Sequence, residues 1–496
     1  MKKRGSARQL GHFLTVSSQN ARRLPGVSRQ TPAIFRRMSR SSLPKILFCL
    51  CAVLPAYAEL PFGTEVRIER PDAQGTARLE LRNPGNHTWV IQGSNDLSGW
   101  TTVETLKVHN GFLSRTLSAP GSTAARTYYR FLFDPAAQNL TSTLSGGLRL
   151  PELPANYANP TLPPGFSQPP ISGQDNTPVA NPVTDAAATL GRVLFFDKRL
   201  SRNQTVSCSS CHRPQNGFSD PAQFSVGFEG GLTDRNSMGL TNARWYQRRA
   251  FFWDERAATL EDQVLQPIQN AVEMGMTLPD LVTRLSAEPY YGPLFTQAFG
   301  SATVSSDRIS RALAQFVRSI IATQSKFDLG RAANPQFSNF TAEENLGRTI
   351  FTTPTLGNCS ACHGSDNFVP GPNVNNNGLE NPYVDKGRGE VTGLAADEGL
   401  FKVPSLRNIE LTAPYMHDGR FATLEQVVEF YNSGVVNHPN LSPPLRNPPG
   451  TPNAGQPRRL NLTQEQKAAL VAFLKTLTDR AITTDARFQD PFNYGN

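Results

Sequence analysis

The sequence predicts a mainly α-helical protein with a small all-β domain near its N-terminus. The first observation is size, since 496 residues with 38% hydrophobic positions allow two to four domains with a sizeable core. The second is a change of pattern along the chain. Residues 59–133 alternate in short runs between Gly, Pro, Asn and Asp turns, whereas the chain beyond residue 183 shows apolar side chains at helical spacing.

The first 58 residues have the pattern of a secretory signal peptide. They hold Lys and Arg but no Asp or Glu, then an apolar run over residues 46–54, then Ala56-Tyr57-Ala58. We expect export to the periplasm with cleavage after Ala58; an interfacial anchor is the alternative. The net charge of +9 belongs to this leader, so the remaining chain gives no reason to expect a nucleic acid as partner. No apolar run reaches the roughly 18 residues of a membrane span.

The cysteines outside the leader form two C-x-x-C-H motifs. These are Cys208-Ser-Ser-Cys211-His212 and Cys359-Ser-Ala-Cys362-His363. Two thiols at this spacing can form thioethers with both vinyl groups of one haem, and the adjacent His then becomes the proximal iron ligand. A zinc site or a redox-active disulfide pair are the alternatives. We therefore expect two covalently bound c-type haems, with iron bound by His212 and His363.

The two motifs therefore predict two c-type cytochrome domains that pack together. A small β-sandwich domain precedes them in the sequence. Helices are expected over residues 307–323 and over 463–478, where Thr463 and Gln466 form a capping box. The predicted segments are a signal peptide (1–58), a β-sandwich (59–135), a proline-rich linker (136–182), a first cytochrome c domain (183–335) and a second (336–496).

Several motifs resemble the bacterial dihaem cytochrome c peroxidase/MauG family from about Pro151 to the C-terminus. They are Leu-Gly-Arg-Val-Leu-Phe-Phe-Asp at 190–197, Phe-Trp-Asp at 252–254, Thr-Leu-Glu at 259–261, Val-Glu-Met-Gly at 272–275, Phe-Lys-Val-Pro-Ser-Leu-Arg-Asn at 401–408 and Leu-Thr-Ala-Pro-Tyr-Met-His-Asp-Gly at 411–419. The resemblance implies an oxidoreductase that acts on hydrogen peroxide. It makes the first domain peroxidatic and the second an electron-transfer domain.

The resemblance also implies roles for residues around the first haem. Glu273 matches the distal acid–base carboxylate, and a poised carboxylate can move the proton that O–O cleavage requires. Gln263 and Pro267 match other distal positions, and Trp253 matches the tryptophan between the two haems. The alternatives are that Glu273 only caps or solvates a helix end and that Trp253 only packs in the core.

A calcium ion between the haems is the third implication of the resemblance. Asn236 would bind it, and Thr412 and Pro414 would contribute backbone carbonyls, since calcium prefers hard oxygen ligands. The alternative for Asn236 is a turn residue.

Three positions depart from parts of the family. Many of its peroxidases carry a His where this chain has Phe228, and that His blocks the peroxidatic iron until reduction. With no His between His212 and His363, we expect the first haem to be open without such a switch. Many members have a Met ligand at the position of Tyr431, whereas MauG also has a Tyr there. We expect Tyr431 to bind the second iron; a core aromatic is the alternative. Gly357 replaces a Trp that MauG uses to oxidise its protein substrate.

The sequence therefore predicts an exported dihaem peroxidase. Hydrogen peroxide would be reduced at the His212 haem, with electrons from a small redox protein passing through the His363/Tyr431 haem. A MauG-type oxidase that modifies a side chain of a partner protein is the alternative. A dihaem electron carrier without turnover is a third class, and the missing distal His argues against it.

Overall fold

A computed structural model of the chain describes residues 154–369 and 374–492, together with shorter stretches nearer the N-terminus: 47–48, 65–68, 77–82, 87–94, 99–107, 112–117, 128–138, 141–144 and 147–151. The predicted cleavage site at residues 56–58 lies outside the described residues. Within them, no helix is both long enough and apolar enough to cross a membrane. The chain clusters into two compact units, one holding most of residues 1–161 and the other made of Thr143–Arg149 and Leu162–Asn496.

The described strands lie near the N-terminus. They are β1 (Leu47–Phe48), β2 (Glu65–Ile68), β3 (Ala77–Arg82), β4 (His87–Ser94), β5 (Thr101–Lys107), β6 (Phe112–Leu117), β7 (Tyr128–Gln138), β8 (Thr141–Leu144) and β9 (Leu148–Pro151). One sheet has the order β1-β7-β4-β5 and another β2-β3-β6. All of these neighbours are antiparallel except β1, which lies inside the predicted signal peptide and pairs in parallel with β7. The packing of these sheets as a sandwich stays a prediction.

The rest of the chain is mainly helical, which confirms the predicted class for this part. The α-helices are α1 (Pro164–Ser167), α2 (Asp185–Phe196), α3 (Cys208–Cys211), α4 (Leu260–Gln263), α5 (Gln266–Gln269), α6 (Leu278–Ala287), α7 (Tyr291–Phe299), α8 (Ser306–Ser319), α9 (Lys326–Ala332), α10 (Ala342–Thr352), α11 (Arg388–Thr392), α12 (Leu424–Glu429) and α13 (Gln464–Lys475). The capping box predicted for α13 is present, with Thr463 Oγ1 accepting from the Gln466 N–H at 3.2 Å and Gln466 Oε1 accepting from the Thr463 N–H at 2.9 Å.

Helix α8 is shorter than its apolar spacing predicts. It ends at Ser319, although the sequence predicts helix to residue 323. The cause is tertiary: the Asn242 N–H donates to the Ile320 carbonyl at 2.9 Å, and Asn242 Oδ1 accepts from the Ala322 N–H at 2.8 Å. These bonds take over the backbone groups that a further helical turn would use.

Each half of the helical unit is built on one crossing of two helices. In the first half α2 packs on α8, and in the second α10 packs on α13. Both crossings place a glycine at the contact: a Cβ on Gly191 would overlap the carbonyl oxygen of Ala312, and a Cβ on Gly347 would overlap that of Ala469. Glycine therefore sets how closely the helices approach in both halves.

Two segments outside these crossings also contribute to the helical unit. Phe166, from the segment predicted as a linker, is buried with its ring 4.8 Å from that of Trp245. Near the C-terminus, the Phe488 ring lies 6.2 Å from the rings of both Phe218 and Phe316, which belong to the first half. The end of the chain thus returns to pack on the first half.

Candidate functional site

The first C-x-x-C-H motif forms one helical turn followed by an oriented histidine. Helix α3 carries Cys208 and Cys211, and the capping box of Ser207 with Ser210 fixes its start. His212 Nδ1 donates to the carbonyl of Phe218 at 2.9 Å. This bond fixes the ring and its tautomer, which leaves Nε2 as the nitrogen available to iron.

The second motif repeats this arrangement. Residues Cys359–Ala361 form a 3₁₀ turn, and His363 Nδ1 donates to the carbonyl of Phe368 at 3.3 Å. Burial lowers the pKa of His363 to about 4, and burial also lowers the pKa of His212. Both imidazoles are therefore neutral at neutral pH, as an iron ligand must be.

A large, mostly apolar cavity adjoins the second motif. It is lined by Cys359, Cys362 and His363 on one side and by apolar side chains, among them Phe351, Leu424, Val428, Leu470 and Leu474. Among the described residues, no Asp or Glu lines it, whereas Lys402, Arg407 and Arg458 do. These features fit a haem. The apolar wall suits its ring, the two thiols and the oriented imidazole suit covalent attachment and iron binding, and the positive charge suits its two anionic acid side chains.

The four cysteine thiols suit covalent attachment better than thiolate chemistry. None of them forms a disulfide. Burial raises the pKa of Cys208 and of Cys359 to about 12 each, so neither is the low-pKa thiolate that a redox-active pair requires. This argues against the disulfide alternative.

Glu273 lies in a pocket close to the first motif. The pocket is lined by Arg256, Gln266, Gln269, Asn270 and Glu273. Asn270 Oδ1 accepts from the backbone N–H of Glu273 at 3.1 Å and thereby fixes the start of this turn. Glu273 is near enough to the first motif that its charge acts on both thiols, Cys208 and Cys211.

The surroundings of Glu273 favour its protonated form. Burial raises the pKa of Glu273, and the positive charge of Arg256 lowers it again in part. A raised pKa is the usual property of a carboxyl group that takes up and returns protons. The other two positions that the resemblance implies do not line this pocket. Gln263 is the last residue of α4, and Pro267 is the second residue of α5.

Phe228 is buried directly beside Glu273. Its N–H donates to the Glu273 carbonyl at 3.1 Å, and its ring covers Gly275, where any Cβ would overlap it. Gly227 approaches the Val272 carbonyl so closely that a Cβ there would also overlap. The loop that carries Gly227 and Phe228 is therefore packed against the turn of Glu273. The side chain at position 228, where many peroxidases of the family have a His, is a hydrocarbon ring.

Trp253 lines the large cavity, and hydrogen bonds fix it at both ends. Its Nε1–H donates to the Asn236 carbonyl at 2.8 Å, and its own carbonyl accepts from the Lys402 N–H at 2.7 Å. Its ring lies edge-on to His417, 6.5 Å between centroids, and His417 is stacked on Phe401 at 3.9 Å. His417 is thus held in an aromatic stack near the cavity.

Tyr431 lines the same cavity as His363. It sits in a π-helical turn, Phe430–Gly434, that continues α12. Burial raises the pKa of its phenol, and a hydrogen bond with Asn377 lowers it in part. Tyr431 also packs against an apolar cluster that includes Tyr383, Phe401 and Phe430. This position is compatible with both the ligand and the core-aromatic interpretations.

Asn236, Thr412 and Pro414 also line this cavity together. Asn236 Nδ2 donates to the carbonyls of Ala222 and Gln223, at 3.2 and 3.1 Å. These bonds use the amide nitrogen, so the carboxamide oxygen is the atom of this side chain that could bind a cation.

Sequence reasoning missed several residues that shape the site. They are Arg256, Asn270, Asn377 and Lys402. Asn270 carried a readable signal, because an Asn two residues before Val272 and three before Glu273 is typical of a side-chain-capped turn. The other three matter through neighbours that are distant in sequence.

Comparison with known proteins identifies relatives of this chain. A family model described as di-haem cytochrome c peroxidase matches residues 185–334. The methylamine utilization protein MauG of Methylophilus methylotrophus is 34% identical over 309 residues, which cover 62% of this chain and 87% of that protein. The cytochrome c551 peroxidase of Nitrosomonas europaea is 36% identical over 295 residues, 59% of this chain and 79% of that one. Among solved structures, a MauG-like protein associated with microbial copper homeostasis covers 66% of this chain and 99% of its own, with 35% identity and a TM-score of 0.56.

Proposed function

The chain belongs to the di-haem cytochrome c peroxidase family, and from this premise we propose that it is a haem peroxidase that reduces hydrogen peroxide at the His212 haem. The observation that carries the proposal is the position of Glu273, which lines a pocket and lies near enough to the first haem-attachment motif for its charge to act on Cys208 and Cys211. Electrons would come from a small redox protein by way of the second haem.

The residues that would hold the two haems are the members of the two motifs. Cys208 and Cys211 would attach the first haem, and His212 would bind its iron through Nε2; Cys359, Cys362 and His363 would do the same for the second. When bound, a haem supplies an iron that can coordinate peroxide and exchange single electrons.

Glu273 would move one proton during peroxide reduction. The overall reaction consumes one H₂O₂, two electrons and two protons and releases two waters. One Glu273 carboxylate oxygen would accept a proton from one peroxide oxygen and return it to the other, which then leaves as water. Arg256 keeps the carboxylate form accessible by opposing the effect of burial.

Phe228 would leave the peroxide position accessible in the oxidised protein. A benzyl side chain has no lone pair for iron, and its packing on Gly275 and beside Glu273 holds it in place. The first haem would therefore react without prior reduction.

Trp253 and Tyr431 would connect and tune the two haems. Trp253 lines the cavity beside His363, and in sequence it precedes the segment that leads to Glu273. Its indole would therefore pass electrons between the two haems. Tyr431 would bind the second iron as tyrosinate, because a ferric ion nearby would compensate for the burial that otherwise keeps the phenol protonated. An anionic oxygen ligand favours the ferric state and lowers the reduction potential.

MauG-type oxidation of a partner protein is the less favoured alternative. A Cβ on Gly357 would come within 2.7 Å of the Ile350 carbonyl and 3.2 Å of the Cys359 sulfur. A tryptophan therefore cannot occupy this position without backbone movement, and the chain lacks that route to an external substrate.

We also propose a calcium ion bound by Asn236 with the backbone carbonyls of Thr412 and Pro414. Support comes from the presence of all three residues in the lining of one cavity and from the carboxamide oxygen of Asn236, which accepts no hydrogen bond from the residues that the structure describes. Metal analysis of the purified protein before and after treatment with a chelator would test this, with one calcium ion per chain expected.

We also propose that the protein is exported to the periplasm and that its N-terminal strands pack as a β-sandwich. Covalent c-type haem attachment and the Ala56-Tyr57-Ala58 site both indicate passage out of the cytoplasm. Mass spectrometry should find Glu59 at the mature N-terminus. An intact leader would contradict the proposal.

A haem count and a turnover assay test the proposed function directly. We expect two haems per chain that survive denaturation and acid extraction, and peroxide-dependent oxidation of a reduced small c-type cytochrome. Zinc in place of haem, or one haem per chain, would contradict the cofactor assignment. Two haems without peroxide-dependent oxidation would instead indicate an electron carrier.

A further inference from the structure

The turn that carries Glu273 is shaped from within by Asn270. The Asn270 side-chain oxygen accepts from the N–H groups of Val272 and Glu273, at 2.8 and 3.1 Å. Its backbone carbonyl accepts from the N–H groups of Met274 and Gly275, at 3.3 and 2.8 Å. These bonds fix the shape of the turn. They do not fix its place relative to the first haem-attachment motif, because all of their partners belong to the turn itself.

A second set of contacts comes from the loop that carries Gly227 and Phe228, here called the Phe228 loop. The Phe228 N–H donates to the Glu273 carbonyl at 3.1 Å. On either side of this bond the two backbones touch, because Gly227 lies against the Val272 carbonyl and the Phe228 ring covers Gly275. The loop therefore contacts the turn immediately before, at and after Glu273.

The Phe228 loop is closed by bonds of its own. The Gly227 N–H donates to the Gly231 carbonyl at 2.7 Å, and the Thr233 N–H donates to the Ser225 carbonyl at 3.0 Å. Both bonds join the two arms of the loop. The loop therefore keeps its shape independently of the turn that it contacts.

The segment that leads into the first motif contacts both the loop and the turn. The Asn203 side-chain amide donates to the Phe228 carbonyl at 2.6 Å, and the Arg202 N–H donates to the Met274 carbonyl at 2.8 Å. The same segment continues into Ser207, whose capping box begins α3, the helix of the first motif. One stretch of chain therefore contacts the Glu273 turn and starts the haem-attachment helix.

This segment is itself held in place by Arg284 of α6. The Arg284 guanidinium donates to the carbonyls of Arg199, Ser201 and Arg202, at 3.0, 2.7 and 3.2 Å. The buried Ser201 hydroxyl accepts from the Val206 N–H at 3.1 Å. The segment is therefore a fixed base for the loop and the turn.

We propose that Phe228 is a positioning residue for Glu273 and that Asn203 anchors it, so that together they set the place of the Glu273 carboxyl relative to the first haem-attachment motif. This inference rests on the proposed function, in which Glu273 moves a proton during peroxide reduction. Its support is that each of the four successive residues 272–275 is contacted by Arg202 or by the Phe228 loop.

The ring is the part of Phe228 that a substitution can remove. Its backbone bonds would persist in an alanine variant, but the cover over Gly275 would be lost. Gly275 has a φ of 61°, and glycine moves between backbone conformations more freely than other residues. A ring packed over it restrains the turn, which Gly275 has no side chain to do. Proton transfer needs its partners within hydrogen-bond reach, so a small shift of the turn would slow the reaction.

The experiment uses two readouts on the holoprotein. Stopped-flow mixing with hydrogen peroxide gives the rate of the peroxide reaction, and hydrogen–deuterium exchange with mass spectrometry reports on the mobility of residues 270–276. Both are measured in Phe228→Ala and in Asn203→Ala, and the rate is measured again with each change added to Glu273→Gln. Alanine has no atom that binds iron, so Phe228→Ala leaves the first haem accessible.

Phe299→Ala is the matched control. Phe299 ends α7, is partly buried and has the guanidinium of Arg308 5.5 Å from its ring centre, much as Phe228 has that of Arg202 at 5.7 Å. It therefore reports the loss of a similar ring elsewhere in the first half.

We expect the peroxide rate to fall about 10-fold in Phe228→Ala, within the roughly 10²-fold that a misplacement of 1 Å can cost. Asn203→Ala should show a smaller fall, and exchange over residues 270–276 should be faster in both. Neither change should lower the rate further in Glu273→Gln, because the effect acts through that carboxyl group. Phe299→Ala should match the wild type in both readouts.

A wild-type rate or unchanged exchange over residues 270–276 in Phe228→Ala would overturn the inference. So would an equal loss of rate in the wild-type and Glu273→Gln backgrounds, because independent effects multiply. Asn203 is exposed, so its variant tests the same contacts without removing a buried side chain, and wild-type behaviour there would overturn its part as the anchor. Failure of the proposed function would show separately, as a wild-type protein that does not react with peroxide or as a wild-type rate in Glu273→Gln.

Discussion

The two halves of the helical unit share one scaffold but differ in what faces each haem site. In both, a glycine lets two helices touch, at Gly191 and at Gly347, and in both the motif histidine donates through Nδ1 to a phenylalanine carbonyl. The first half then offers Glu273 and Phe228 near its motif, whereas the second offers Tyr431. In the function proposed above, this shared frame would hold the two motif histidines, and the side chains that differ between the halves would decide whether peroxide or a protein ligand binds the iron.

The scaffold is repeated in the sequence as well. Leu-Gly-Arg occurs at 190–192 and again at 346–348, and the facing helices carry Ala312 with Phe316 and Ala469 with Phe473 at equal spacing. In each half the glycine meets the alanine carbonyl and the phenylalanine Cβ. Differences between the halves therefore arise on a common frame, which makes matched variants informative.

The largest expected effect comes from Glu273→Gln. This change keeps the shape but removes the group that carries the proton, so the rate of the peroxide reaction should fall roughly 10²–10⁴-fold. In the wild-type protein the rate should fall as the pH drops through the raised pKa of Glu273, because the carboxylate must be ionised to accept the proton. The variant should lose this pH dependence. Stopped-flow mixing with hydrogen peroxide measures both.

The matched control is Glu229→Gln, because Glu229 is an exposed glutamate in the Phe228 loop. It should react like the wild type. A wild-type rate in Glu273→Gln would mean that another group, such as Gln263 or water, moves the proton.

Tyr431→Phe should affect only the second half. If Tyr431 binds the second iron, its loss should change the absorption spectrum of that haem from six-coordinate to five-coordinate, while peroxide still reacts at the first haem. Tyr415→Phe is the control, since Tyr415 lines the same cavity but donates its hydroxyl to the Ile409 carbonyl. An unchanged spectrum in Tyr431→Phe would make Tyr431 a core aromatic and would remove the proposed difference between the haems.

The smallest expected effect is a loss of stability when the glycine at either helix crossing, a feature that the two halves share, is replaced by alanine. Gly191→Ala and Gly347→Ala each force a methyl group into a backbone carbonyl, and each should lower the free energy of unfolding by about 1–3 kcal/mol. Gly173→Ala should change it by no more than about 0.5 kcal/mol, because its Cβ would meet no atom within 4 Å. Thermal or denaturant unfolding measures this. Unequal losses at Gly191 and Gly347 would show that the two crossings are not equivalent.

Local sequence was sufficient for the parts of the fold and site that depend on local chemistry. The two C-x-x-C-H motifs and the Thr463–Gln466 capping box can each be recognised within a few residues, and so can the family motif at 272–275 that contains Glu273. The family itself follows from several such motifs in order.

The remaining features depend on residues far apart in sequence. The end of α8 is set by Asn242, some way upstream, and nothing in the helix itself shows this. The constraint on Gly357 comes from the nearness of the Ile350 carbonyl, seven residues earlier in the chain. Such properties appear only when the chain is folded.

The central claim is that the two haems differ in access, with the first open to peroxide and the second closed by Tyr431. An electron paramagnetic resonance spectrum of the fully ferric protein tests it most directly. We expect one high-spin signal and one low-spin signal in equal amounts, and the high-spin signal alone should disappear when peroxide is added. Two low-spin signals would mean that both irons are closed, and the comparison between the halves would then be wrong.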